Sequence, residues 1–171
     1  MSPKKIALLS IMLALMVALT MLESLLAASL LFLPPHFKLG LANIIVMFCV
    51  LHIGRSHAVF LNVLKSLFIF ILRGSMAGAL SLSGGLLSIL VIIILISAFS
   101  KDKLSYSTIS VTGAVAHNLG QYVIVIPIMS LTMPYLLYYF PILIVSGVAM
   151  GIITGMSLKI LMPALLHISK Y

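Results

Sequence analysis

The sequence predicts an all-α integral membrane protein, a bundle of six transmembrane helices, and three features lead to that class. Hydrophobic residues fill 63% of the 171 positions and charged residues only 7%, whereas a soluble domain carries roughly a quarter charged residues. Mean hydropathy is +1.35. Several apolar runs reach the ~20 residues that a helix needs to cross a bilayer. The polar interruptions between them are short, so the expectation is one transmembrane domain over residues 1–171 with very short loops.

The spans follow in order. The first, residues 5–33, starts at Lys5, directly after Lys4, and opens like a signal peptide. It stays apolar to Leu33 without a clear cleavage site and is read as a retained helix. The stretch PPHFKLGLANI, residues 34–44, ends it, because neither Pro34 nor Pro35 can donate a backbone hydrogen bond. The second span, 38–53, runs to GRSH, and the third covers 57–72. The small-residue stretch RGSMAGALSLSGG separates it from a fourth span over 84–99. SKDKLSYS precedes the fifth, 108–130, and the sixth covers 134–163.

Lysine and arginine placement sets the orientation, since cytoplasmic loops carry the excess. With the N-terminus inside, the inner ends hold Lys4, Lys5, Arg55, Lys101, Lys103, Lys159 and Lys170, against Lys38 and Arg73 at the outer ends. Both termini are therefore expected to be cytoplasmic, and PPHFKLGLANI to face outward.

The polar residues inside the spans are the candidate site. Asn43 falls about one turn into the second span, where an amide without partners is expensive in hydrocarbon. On the third helix, Asn62, Lys65, Ser66 and Arg73 fall within an arc of roughly 100° at 100° per residue. Lys65 lies near mid-span, and intramembrane charges face a protein interior or a wet cavity. Glu23 is the one acidic residue available within the membrane. A structural Glu23–Lys65 ion pair and a cavity lined by both residues are compatible readings. The fifth helix adds GAVAHNLGQY, in which His117 and Gln121 are four apart and share a face, with Asn118 beside them. Lys38 completes the set of cations, and three cations against one acid favour a ligand with negative charge.

Small residues form two further patterns. On the first helix Ala7, Ser10, Ala14 and Ala18 lie within about 80° of one another, roughly opposite Thr20, Glu23 and Ser24. Such a stripe lets another helix approach closely, whether a partner's or the chain's own. Gly147, Gly151 and Gly155 on the sixth helix keep a strict four-residue spacing, read as internal close packing.

Several functions are excluded. The chain has one cysteine, Cys49, and so no intrachain disulfide or cysteine-built metal cluster. His36, His52, His57 and His167 sit at helix ends on different sides, so no metal is expected. LSLSGG lacks the lysine-serine ending of a phosphate loop. No catalytic motif, cofactor site or nucleic-acid partner is expected.

FKLGLANI, LKSLFIFILRGS, LSLSGGLLS and TGAVAHNLGQ, in this order, resemble the bacterial membrane proteins called Gx transporters, also labelled heptaprenyl diphosphate synthase component I. The likeness covers nearly the whole chain. That family in turn resembles the S-components of energy-coupling factor (ECF) transporters. The resemblance implies a six-helix subunit of the bacterial inner membrane that captures a small vitamin- or cofactor-like molecule from outside. It also implies a transmembrane coupling subunit and cytoplasmic ATPases as partners, beside membrane lipid, with docking through small residues such as Ala7, Ala14 and Ala18. The substrate-binding set would be Glu23, Lys38, Asn43, Asn62, Lys65, Arg73, His117, Asn118 and Gln121.

The second label makes a competing claim. A prenyl diphosphate synthase holds magnesium and diphosphate through several carboxylates, and this chain has one aspartate, Asp102. It is expected not to be an enzyme. A non-catalytic accessory role in heptaprenyl diphosphate synthesis, or in a membrane redox complex, needs no carboxylates and stays open as the alternative.

The orientation is directly testable. In a Cys49→Ser background with single cysteines at positions 36, 56 and 102, an impermeant thiol reagent applied to intact cells should label position 36 alone. Labelling at 56 or 102 instead would invert the topology.

Overall fold

Apolar sequence with few breaks leaves the backbone one economical way to satisfy its polar groups in hydrocarbon, the helix. A computed structural model describes residues 3–29, 40–99, 103–129 and 133–169, and among them the chain forms six helices and no strand. These are α1 (Pro3–Ser29), α2 (Leu41–Phe48, continued by a π-helical turn, Cys49–Ile53), α3 (Arg55–Arg73), α4 (Ser75–Phe99), α5 (Tyr106–Met129) and α6 (Met133–Ser169). Five of the six are long and apolar enough to cross a membrane, and α2 with its π turn is shorter. The protein is an all-α, multi-span membrane protein. Outward faces carry large apolar side chains such as Leu25, Ile71, Leu137 and Ile160, each at least 70% exposed, as lipid contact requires.

Single glycines turn the chain at two corners. Gly54, at φ 145°, joins the π turn to α3, and Gly74, at φ 89°, joins α3 to α4. Side chains rarely adopt such angles, so glycine is what permits one-residue connections here. Consecutive helices then pack as neighbours: α3 on α4, α4 on α5 and α5 on α6, with α1 against α2 and α3, and α2 against α6.

Two boundaries depart from expectation. The fourth helix begins at Ser75 rather than near residue 84, so most of the small-residue stretch expected to precede the span is part of the helix. Its glycines serve close approach: a Cβ at Gly78 would lie 2.6 Å from Phe70 Cβ, and one at Gly84 2.8 Å from the His117 carbonyl oxygen. The sixth helix passes through Pro163 to Ser169 and also contains Pro141; membrane helices tolerate proline because neighbours re-satisfy the freed backbone. Residues 30–39, with the proline pair, His36 and Lys38, lie outside the described residues.

The interior divides along the bundle axis. Met12 and Met16 of α1, Ile44 to Val50 on α2, Leu61 of α3, Ile89 and Ile92 of α4, Ile109 of α5 and Leu158 of α6 make one buried apolar cluster. By chain direction it occupies the half nearer the start of α1 and the end of α6. The buried polar residues Lys65, Ser66 and Ser81 belong to the other half. The α6 glycine row packs internally on α5, as its spacing suggests: Gly147 meets Val115, Gly151 meets Val111 and Gly155 meets Ser107.

Gly151 is the tightest of these, since an added Cβ would sit 2.4 Å from Val111 Cα, whereas at Gly147 the nearest atom is 3.1 Å away. Backbone cannot yield as a side-chain tip can. Gly151→Ala should therefore cost about 1–3 kcal/mol, the usual scale of overpacking, and Gly147→Ala less. Thermal unfolding in detergent reads the difference, and equal melting temperatures would show that α5 and α6 separate freely.

Candidate functional site: a polar chamber among the helices

The face of α3 that the helical period marks as polar is the face that turns inward. Ala58, Leu61, Asn62, Lys65, Ser66 and Ile69 are buried on it. Lys65, only 3% exposed, lines a chamber of about 110 Å³ in the polar half of the bundle. The same chamber gathers residues from the other five helices and from the end of α3. Thr20, Glu23 and Ser24 come from α1, Gly40 and Asn43 from the entrance to α2, and Arg73 from the end of α3. Ser81 and Ser88 come from α4, Ser110, His117, Asn118 and Gln121 from α5, and Ser146 and Thr154 from α6.

Each polar side chain has a structural reason for its position. Glu23 reaches across from α1, and its Oε1 accepts the backbone N–H of Leu41, an otherwise unpartnered donor in the first turn of α2. That bond ties α1 to α2. Asn43 lies beside Gly40, whose carbonyl accepts the Asn43 backbone N–H at 2.9 Å. Arg73 Nη1 donates to Ser24 Oγ at 3.1 Å, closing α3 on α1. On α5, Gln121 Nε2 and His117 Nε2 are 3.1 Å apart, an amide N–H donating to the imidazole. The close approach of α4 at Gly84 sets their backs, with Gln121 Cγ and His117 Cε1 each 2.9 Å from where a Cβ would stand. Asn118 Nδ2 donates to the Leu143 carbonyl at 3.0 Å and to Ser146 Oγ at 3.3 Å, linking α5 to α6. At the chamber's inner end Ser110 Oγ and Thr154 Oγ1 share a bond of 2.6 Å.

Seven residues singled out in the sequence thus meet in one place: Glu23, Asn43, Lys65, Arg73, His117, Asn118 and Gln121. Two do not join them. Lys38 lies outside the described residues. Asn62 is fully buried but turns to α4, donating through Nδ2 to the Leu82 carbonyl at 3.4 Å. It stands in the space that Gly85 leaves, where a Cβ would fall 1.9 Å from Asn62 Oδ1. It stays off the chamber's wall and braces α3 against α4. The stripe residues Ala7, Ala14 and Ala18 are exposed, on the side of α1 away from buried Met12 and Met16.

The serines and threonine of α4, α5 and α6 went unmarked in the sequence. A hydroxyl in a membrane helix can bond its own helix's carbonyl, as Thr154 Oγ1 does to Met150 O at 2.9 Å. Its presence therefore signals neither cavity nor lipid.

Chemically, the described wall offers two cations, one carboxylate, three side-chain amides, one of them bonded to an imidazole, and several hydroxyls. Of the two cations Lys65 is buried and Arg73 is exposed at the end of α3, and both are donors of the kind that pair with anionic groups.

Fold and chamber together define a multi-span helical membrane protein with a cavity lined by polar residues among its helices. The chain belongs to the family described as Heptaprenyl diphosphate synthase component I, whose family model matches residues 12–161. Comparison with curated proteins and with solved structures found no match.

Proposed function

We propose that the protein is a membrane-embedded substrate-binding subunit, similar in role to an S-component of an ECF-type transporter. It captures a small anionic molecule from outside the cell. The observation that carries this reading is the chamber. Seven scarce polar residues from four helices converge on it, in the half of the bundle that the distribution of lysine and arginine places outward. The exposed face of α1 supports the second half of the reading. Ala7, Ala14 and Ala18 leave a flat strip on the side opposite Glu23, where a transmembrane coupling subunit would dock and cytoplasmic ATPases would supply the energy.

The family's description favours a second reading, a non-catalytic membrane component that partners another subunit of heptaprenyl diphosphate synthesis. The two readings differ in what the protein holds and what holds it. Ala14→Trp and Ala18→Trp fill the strip without touching the chamber. In the capture reading each variant loses its membrane and ATPase partners in affinity purification by about tenfold or more, while ligand binding by the isolated subunit is unchanged. Recovery of a soluble prenyl synthase as the sole partner, indifferent to both substitutions, would establish the accessory role instead.

A further inference from the structure

The chamber of about 110 Å³ is smaller than the roughly 300–1,000 Å³ typical of sites for drug-sized ligands. A space of this size suits a polar head group. A second cavity of about 420 Å³ adjoins it between α1 and α3. The two share part of their walls: Thr20, Ser24, Lys65, Ile69 and Arg73 line both.

This second space is an apolar groove. Val17, Met21 and Leu25 recur at four-residue spacing on α1, and Phe68 and Leu72 at the same spacing face them from α3. Positions 17 to 25 cover about 12 Å of helix. One row of side chains on each wall makes a lane one chain wide. Leu25 is 70% exposed and Leu72 51% exposed, so the lane opens sideways to lipid. The cations sit where the lane meets the chamber.

Resting on the capture reading, we infer that the ligand is a single-chain anionic amphiphile that enters from the bilayer through the α1–α3 groove. Its acidic head reaches Lys65 and Arg73 and the polar chamber beyond, and its hydrocarbon chain stays along Met21, Leu25, Phe68 and Leu72. The division of labour follows from the surroundings. The chain packs between two rows of apolar side chains, while the acidic head, costly to hold in hydrocarbon, meets Arg73 at the groove's mouth and buried Lys65 beside the chamber. An open lane lets the head enter without dragging the chain through a polar wall.

The experiment uses the full chain in nanodiscs of phosphatidylcholine, with radiolabelled dodecyl phosphate and methyl phosphate as probes. Dodecyl phosphate should bind about tenfold or more tighter than methyl phosphate. Leu72→Trp, or the milder Met21→Phe, fills the lane and should weaken dodecyl phosphate by a similar factor while leaving methyl phosphate unchanged. That retained binding reports a folded site. Arg73→Ala should weaken both probes. Equal affinity for the two probes, with no effect of filling the lane, would overturn the amphiphile and leave the capture of a water-soluble anion intact. Failure of both probes to bind would overturn both readings. Displacement of dodecyl phosphate by phosphatidylglycerol at equal mole fraction would also overturn the inference, since the lane would then hold only surrounding lipid.

Discussion

The rest of the structure depends on keeping one ammonium group within a hydrocarbon-spanning bundle. Lys65 sits at 3% exposure near the middle of α3, where an uncompensated charge would cost several kcal/mol. The fold answers by building a polar neighbourhood around it. Glu23 lines the same chamber and also caps α2 through the Leu41 N–H. Arg73 is anchored to Ser24, and Ser66 Oγ donates to Ser81 Oγ at 3.1 Å, holding α4 beside it. A bundle made for stability alone would do as well with apolar side chains at these places. Retaining charges here makes sense when the chamber they line receives something.

Close packing elsewhere makes that chamber possible. The apolar half is filled by Met12, Met16, Phe48, Leu61, Ile92 and Leu158, and glycines press α4, α5 and α6 together. Gly120 of α5 comes so near α4 that a Cβ would stand 2.7 Å from the Ser83 carbonyl oxygen. With three helices locked and α1 and α3 joined through Arg73, space remains where side chains are short and polar. The groove between α1 and α3 is continuous with that space because Lys65 and Ile69 line both.

Much of the site was legible in the sequence, for a physical reason. Polar residues are expensive in hydrocarbon, so Lys65, Arg73, His117 and Gln121 stand out, and the helical period assigns each pair to one face. What a face cannot tell is which neighbour it meets. Asn62 lies in the same arc as Lys65 but one turn deeper, and the gap at Gly85 takes it to α4 instead of the chamber. Ser88, Ser110 and Thr154 carried no signal because a hydroxyl can satisfy itself within its own helix. The start of α4 was missed because glycine and serine, which end helices in water, are the close-packing residues of membrane helices.

The central claim is that the chamber holds an anionic ligand. Native mass spectrometry of the protein extracted from its own membrane, beside an Arg73→Gln variant, tests it most directly. A bound acidic molecule on the wild-type protein, absent or much reduced on the variant while its melting temperature is kept, is the predicted result. A wild-type protein without ligand, or the same molecule at equal occupancy on both, would contradict the account.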